Sequence, residues 1–385
     1  MPNNSRKILA ISLLSIPLSA GAALVPVLSD INAAFPDKNE SIQFLVTLPP
    51  LFMMFSSLLT DKLSQKIPFK LISAISIFII TFAGISPYWI DGFGYLLFTR
   101  ALMGIGLGLL NTVTMSLPAL YFDNSKTRDF AVGIQSAFVC AGGILFNVLS
   151  GVLAKYSWKD VFLVQILNIL PLLAAIFMMP DVKNDVDLKS KKQKLFVKNA
   201  MPIVTIAFIT IILTCTYPLN LSMFVENQNI GNSQFVGLLA GINSAIGFFI
   251  GLIFGQIYSK TKNFTLPIGM TIVSAALFIV TFSQNQTVML IGSVCFGIGT
   301  SFVSPSLYSI MYTSVKPEEV VASAAMLGVA SNVSQFVSPF IINPIANFVP
   351  TDNIEGSRFV LTGGLVLIMA VILFVKNKPI SRNNK

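Results

Sequence analysis

The sequence predicts an all-α membrane protein with twelve transmembrane helices in two pseudo-symmetric six-helix bundles. Three observations predict it. Of 385 residues, 54% are hydrophobic and only 11% charged, against about 25% charged in a soluble domain. The apolar residues come in runs of the ~20 that a helix needs to cross a bilayer. The mean hydropathy of +0.78 holds over the whole length, which excludes one hydrophobic tail on a soluble domain. A transmembrane β-barrel would instead show short alternating segments.

The spans follow in order. The first covers 8–29. Its start, "SRKILAISLLSIPLSAGAALVP", has the basic opening, apolar core and small residues of a secretory leader, but the apolar run continues to about Leu28 and reads as a helix kept in the chain. Spans two and three, 41–60 and 70–90, flank a polar loop. The fourth, 93–117, carries Arg100 and the alternate glycines Gly104, Gly106 and Gly108. The fifth and sixth are 130–153 and 160–179. The longest polar interruption, "DVKNDVDLKSKKQKLFVK" at 181–198, then divides the chain into halves 1–180 and 200–385, with 181–199 as a cytoplasmic linker. Beyond it lie spans 200–224, 233–258, 265–284 and 287–313. The eleventh, 319–348, is long and contains Pro339 and Pro344; the twelfth is 357–375. Proline and glycine recur in many spans, as membrane helices tolerate.

Charge placement sets the orientation. With the N-terminus in the cytoplasm, twenty of the 25 Lys and Arg fall on the inner side, six of them between 183 and 198. Only Lys38, Lys155, Lys159 and Arg358 fall outside, and Arg100 lies within a span. The acidic residues divide evenly. This is the positive-inside pattern of a multi-pass plasma-membrane protein with both termini cytoplasmic. It also explains the +9 net charge without a nucleic-acid partner.

Other chemistry is sparse. Cys140, Cys215 and Cys295 lie in separate spans without metal-ligand spacing, so they read as buried free thiols, and histidine is absent. No phosphate-binding glycine loop with Lys-Ser/Thr is present, so the chain has no ATP motor of its own. No metal or cofactor is expected. A membrane-embedded enzyme would need a nucleophile-base pair, a metal set or paired carboxylates inside the spans, and the sequence offers none.

The halves echo one another. "SLLTDKLSQK" (57–66) follows the second span and "GQIYSKTKNF" (255–264) the eighth, with Lys62 falling on Lys260. Gly104-Ile-Gly106 in the fourth span matches Gly297-Ile-Gly299 in the tenth. A repeated six-helix unit is a plan used by secondary transporters.

These motifs resemble the major facilitator superfamily, over the whole chain. The family signature G-x-L-a-D-R-x-G-R-K stands here as Ser57-Leu-Leu59-Thr-Asp61-Lys62-Leu-Ser64-Gln65-Lys66, with both glycines replaced by serine. The resemblance implies the major facilitator fold, a substrate site between the halves, and a cytoplasmic gate latched by Asp61, Lys62 and Lys66. In the second half Ser259 replaces the aspartate. The helix-four signature R-x-x-x-G-x-G is Arg100, Gly104 and Gly106. The antiporter signature G-x8-G-x3-G-P-x2-G-G is degraded: Gly133 and Gly142 keep its spacing, but Phe146-Asn147 replace Gly-Pro and Ser150-Gly151 the last pair.

Arg100 is the sharpest residue. On an ideal helix Gly104 lies about 40° from it, Gly108 about 80° and Asn111 about 20°. Gly104 and Gly108 form a small-x-x-x-small pair that admits a close helix and allows sliding as the gate works. Arg100 is either structural, bound to carbonyls or snorkelling, or a cationic anchor for an anionic cargo. No Asp or Glu lies in the middle of any span, which favours an anion over an organic cation. Asp30 and Glu226, at span ends, are the candidates for coupling. Gln43, Gln135, Asn147, Asn220, Asn243, Asn332 and Gln335 add polar groups that either line the cavity or bond helix to helix. The reading is a monomeric secondary transporter that moves a small organic or amphipathic anion, a bile-salt-like carboxylate or sulfonate among them, by alternating access. A coupling proton or counter-anion would accompany it, and proton-driven multidrug efflux is the alternative. A non-transporting receptor would need no such cavity.

The charge split predicts the topology. Cysteines placed at Lys38, Asp91 and Asp352 should react with an impermeant reagent on intact cells, and those at Lys66, Lys191 and Lys316 only after permeabilisation; outside labelling at Lys191 overturns the assignment.

Overall fold

A computed structural model describes residues 2–64, 66–122, 124–179, 197–316, 319–349 and 353–376. The described residues are helical almost throughout. In order they form α1 (Pro2–Ser15), α2 (Leu28–Ala34), α3 (Phe44–Ser64), α4 (Phe69–Ile85), α5 (Phe93–Tyr121), α6 (Ser125–Ala154) and α7 (Ile169–Phe177). They continue with α8 (Met201–Thr214), α9 (Thr216–Asn227), α10 (Ser233–Thr261), α11 (Thr265–Thr281), α12 (Gln286–Ser314), α13 (Val320–Ala346) and α14 (Ile354–Lys376). Among the described residues, ten helical stretches are long and apolar enough to cross a membrane. Most of the polar linker, 180–196, falls outside the described residues. At its end the Val197 N–H donates to Met326 Sδ at 3.3 Å.

Several spans are irregular, with proline beside some of the breaks but not all. The first span is not one continuous α-helix: Ile16–Val27 winds as a 3-10 helix between α1 and α2. Pro17 starts that segment and Pro26 sits near its end; neither has an N–H for the ladder. The sixth span likewise opens as a 3-10 helix at Asp160–Asn168. The seventh breaks at Cys215, three residues before Pro218. By contrast α13 runs unbroken through Pro339 and Pro344, and α3 through Pro49 and Pro50.

The described residues form two compact units. One comprises the chain through 179, Pro218–Phe248 and Gln335–Val337; the other comprises 197–217, Phe249–Ser334 and Ser338 onward. In the first unit glycine sets the helix spacing. A Cβ on Gly104 would lie 2.8 Å from the Cα of Pro49, and one on Gly108 3.0 Å from the Cα of Met53, so both glycines seat α5 against the backbone of α3. Gly106, between them, turns the other way. Its Cβ would lie 2.8 Å from Ile80 Cγ1 and 2.9 Å from the Ser76 carbonyl on α4. The alternate glycines therefore serve two neighbours on two faces. A further seam joins α6 and α10, where a Cβ on Gly151 would fall 3.0 Å from the Cα of Gly237 and one on Gly237 would fall 2.7 Å from the Asn147 carbonyl. Two apolar clusters fill the remaining space, one around Met103, Leu110, Val113 and Phe146, the other around Leu24, Leu28, Leu96 and Phe162.

The second unit repeats one of these contacts. Gly299, the counterpart of Gly106 in the sequence repeat, would place a Cβ 2.8 Å from the Val273 nitrogen and 2.9 Å from the Gly269 carbonyl of α11. Ser274 Oγ donates to the Gly363 carbonyl of α14 at 2.8 Å. Tyr217 stacks on Phe296 with ring centroids 4.0 Å apart, and its hydroxyl pairs with Ser293.

The close approach sets an expectation. Gly104→Leu drives a side chain into backbone that cannot rotate away, and should cost about 1–3 kcal/mol by overpacking. Gly251→Ala, where nothing lies within 4 Å, should be neutral or mildly stabilising. Thermal unfolding of both variants in detergent checks the contrast; equal midpoints would refute the seam.

Candidate functional site

The structure places Arg100 eight residues into α5 at only 1% exposure. Its Nη1 donates to Met103 Sδ at 3.5 Å, a weak acceptor one turn on. The guanidinium carbon lies 5.8 Å from the centroid of the Phe162 ring. Nε and Nη2 find no hydrogen-bond partner in the protein. A guanidinium carries five N–H donors, and leaving buried donors unmet is costly. Phe162 belongs to the second apolar cluster, so the cation faces an aromatic ring and hydrocarbon rather than a carboxylate. A cation–π contact offsets part of the lost hydration but accepts no hydrogen bond along the N–H directions.

The other polar residues separate by how their side chains are met. Gln135 is 2% exposed and neither amide atom has a partner. Asn147 donates through Nδ2 to the Gly143 carbonyl at 2.8 Å, while its Oδ1 is unmet. The Oδ1 of half-buried Asn243 is also unmet. Asn220, by contrast, accepts from Gln43 Nε2 at 2.9 Å, and Gln335 is engaged. Asn111 and Asn332 are half-buried. Arg100 hydrogen-bonds none of these residues. Asn332 lies in the second unit, the others in the first.

For the gate, α3 runs through Asp61 and Lys62, whose side chains lie outside the described residues; Lys66 is exposed. Gly104 and Gly108 form the α3 contact given above.

Asp30 hydrogen-bonds across elements, whereas the Glu226 side chain is exposed. The Asp30 carboxylate accepts from the hydroxyl of Ser233, the first residue of α10. A carboxylate suits the unmet N–H groups and partial positive charge of a helix start. Nearby, the Ser29 N–H donates to Ser222 Oγ at 3.2 Å, and that hydroxyl donates to the Pro26 carbonyl at 2.9 Å. Together these bonds tie the 3-10 end of the first span and α2 to α9 and α10. Glu226 is exposed near the end of α9. Sequence reasoning missed Ser222, Ser233 and Phe162. The one available signal was Asn232-Ser233 ahead of an apolar run, a helix-start pattern; nothing local marks Ser222 or Phe162.

Comparison with known proteins gives a consistent result. The model of the Major Facilitator Superfamily matches residues 9–339. A crystal structure of a bacterial homologue of the human lysosomal transporter Spinster, inward-facing and occupied, is similar at a TM-score of 0.74 and 14% identity, covering 98% of this chain and 95% of that one. The nucleoside transporter NupG, in a mutant form, superposes at 0.78 with 12% identity over 97% of this chain and 100% of its own. A structure from work on proton-dependent oligopeptide transporters gives 0.73, with 13% identity and coverage of 97% and 98%.

The Asp30 contact carries its own test. Asp30→Ala removes a charge-assisted bond and should destabilise the protein by about 1.5–3 kcal/mol, with Asp30→Asn intermediate. An unfolding midpoint unchanged in Asp30→Ala would show that the bond holds nothing.

Proposed function

We propose, from the premise that the chain belongs to the major facilitator superfamily and is a multi-pass membrane transporter rather than an enzyme, that its cargo is a small organic anion. One observation carries this reading: Arg100 is fully buried, two of its nitrogens are unmet, and no carboxylate answers it among the described residues. A bound carboxylate or sulfonate supplies the counter-charge and accepts in the planar, two-pronged geometry that guanidinium offers. The unmet Nε2 of Gln135 could donate to such an anion, and Asn111, Asn220, Asn243 and Gln335 are candidate further contacts.

Twelve crossings suit this chain. The apolar stretch Ser233–Thr281 divides into α10 and α11 around a short 3-10 turn, and the shorter apolar helix Phe44–Thr60 adds another. The halves 1–180 and 200–385 would rock to alternate access, with both termini cytoplasmic in the plasma membrane. Asp61, Lys62 and Lys66 would latch the inner side. Asp30, held at the start of α10, is the better placed of the two coupling candidates.

Binding per folded molecule tests the anchor. A charge-assisted contact of about 1.5–3 kcal/mol corresponds to roughly 10- to 150-fold in affinity. Arg100→Ala should lose that much affinity for its anion in a panel of carboxylates, sulfonates and bile salts. Arg100→Lys should recover only part, because lysine keeps charge but not the fork. Full affinity in well-folded Arg100→Ala would overturn the reading. Tight binding of organic cations instead would favour proton-driven multidrug efflux.

A further inference from the structure

A second feature lies on the exposed side of the first unit. Between α4, the start of α5 and α7 runs a groove of about 430 Å³, within the roughly 300–1,000 Å³ typical of small-molecule sites. Phe78, Phe82, Trp89, Tyr95 and Leu172 form its apolar wall. Phe78, Phe82 and Trp89 are 59%, 52% and 69% exposed, on or beside a helix of membrane-crossing length. In a transporter embedded in a bilayer, such a surface meets lipid.

Two observations make this more than bare apolar surface. Ser86 lies in the same wall at 7% exposure, and its Oγ has no hydrogen-bond partner. Most hydroxyls recorded on these helices satisfy themselves on a carbonyl three or four residues back, as Thr81 does on Ile77 at 2.7 Å. Ser86 does not, although rotation about χ1 would carry its hydroxyl to any acceptor placed beside it. The second observation is charge at the groove's end. Asp91 follows Ile90 of the wall and pairs with Lys159, so both signs of charge sit where the chain leaves the membrane. Trp89 and Tyr95, in and just after the loop between two spans, have the amphipathic character of residues at the membrane–water interface.

We propose that this groove is a specific phospholipid site. One acyl chain lies along Phe78, Phe82 and Leu172, an ester carbonyl accepts from Ser86 Oγ, and the headgroup meets the Asp91–Lys159 pair. The hydrocarbon matches the aromatic wall. The ester oxygen is the acceptor the buried hydroxyl lacks, set at the depth where a lipid changes from apolar to polar.

The chain's tryptophan content allows a direct test. Trp89 and Trp158 are the two tryptophans, so Trp158→Phe leaves Trp89 as the sole tryptophan, excited selectively at the red edge where tyrosine does not absorb. Phosphatidylglycerol with brominated acyl chains is titrated into this full-length variant in detergent. Quenching of Trp89 should saturate at low lipid content. Ser86→Ala should raise the half-quenching concentration about 2- to 10-fold, the effect of one neutral hydrogen bond. Thr81→Phe, which fills the groove, should abolish the saturable phase. If Ser86→Ala fails to fold, Ser86→Thr and Ser86→Val ask the same question, differing chiefly in the hydroxyl. Quenching that rises without saturation would mean an interfacial tryptophan and nothing more, and would overturn the proposal. So would saturation indifferent to the Ser86 hydroxyl.

Discussion

Inside a bilayer a backbone carbonyl has no water to turn to, and one left unmet costs several kcal/mol. Regular helix absorbs this demand for most of the chain. Where the winding tightens or breaks, side chains of other elements also donate to backbone carbonyls. In the 3-10 segment of the first span, the Ala20 carbonyl accepts from Gln165 Nε2 at 3.0 Å and the Pro26 carbonyl from Ser222 Oγ at 2.9 Å. Before the break at Cys215, the Ile212 carbonyl accepts from Ser338 Oγ at 2.7 Å. Each donor comes from a sequence separation above one hundred residues, so these bonds hold distant spans together.

The same medium shapes the helix contacts. Lipid tails are as apolar as leucine, so burying leucine against leucine gains little, and close packing decides which helices adhere. Removing Cβ lets backbone approach backbone, which multiplies weak dispersion contacts. Gly104 and Gly108 do this toward α3, Gly106 toward α4, and Gly299 toward α11. Three glycines at alternate positions fall on different faces because successive pairs are about 200° apart on a helix. The α5 segment is thus a spacer read by two neighbours at once, with Arg100 one turn before the first glycine.

Against this background Arg100 stands apart. The Asp30 carboxylate is answered by Ser233, and Lys159 by Asp91. The buried guanidinium has a thioether, an aromatic ring and donors with nothing to bond. Gln135, Asn147 and Asn243 also keep unmet buried atoms, but Arg100 among them carries a full charge, which the proposed anionic cargo would relieve.

The family and the apolar helices of membrane-crossing length were legible in the sequence alone. Hydropathy and charge are properties of a local window, and the bilayer acts on that window directly. Arg100 stood out for the same reason, as a lone charge in an apolar run, and its burial needed no knowledge of its neighbours. What the tertiary structure decided was partnership. Asn220 and Asn243 look alike as letters, yet one is met by Gln43 from 177 residues away and the other keeps an unmet oxygen. The sequence marked Gly104, Gly106 and Gly108 as one motif; the structure divides them between two helices. Ser222 and Ser86 carried no mark at all, because a serine's role depends on which acceptor the fold brings within 3 Å of its hydroxyl. Those distances are set by how helices far apart in the chain come to lie against one another, and no window of sequence contains them.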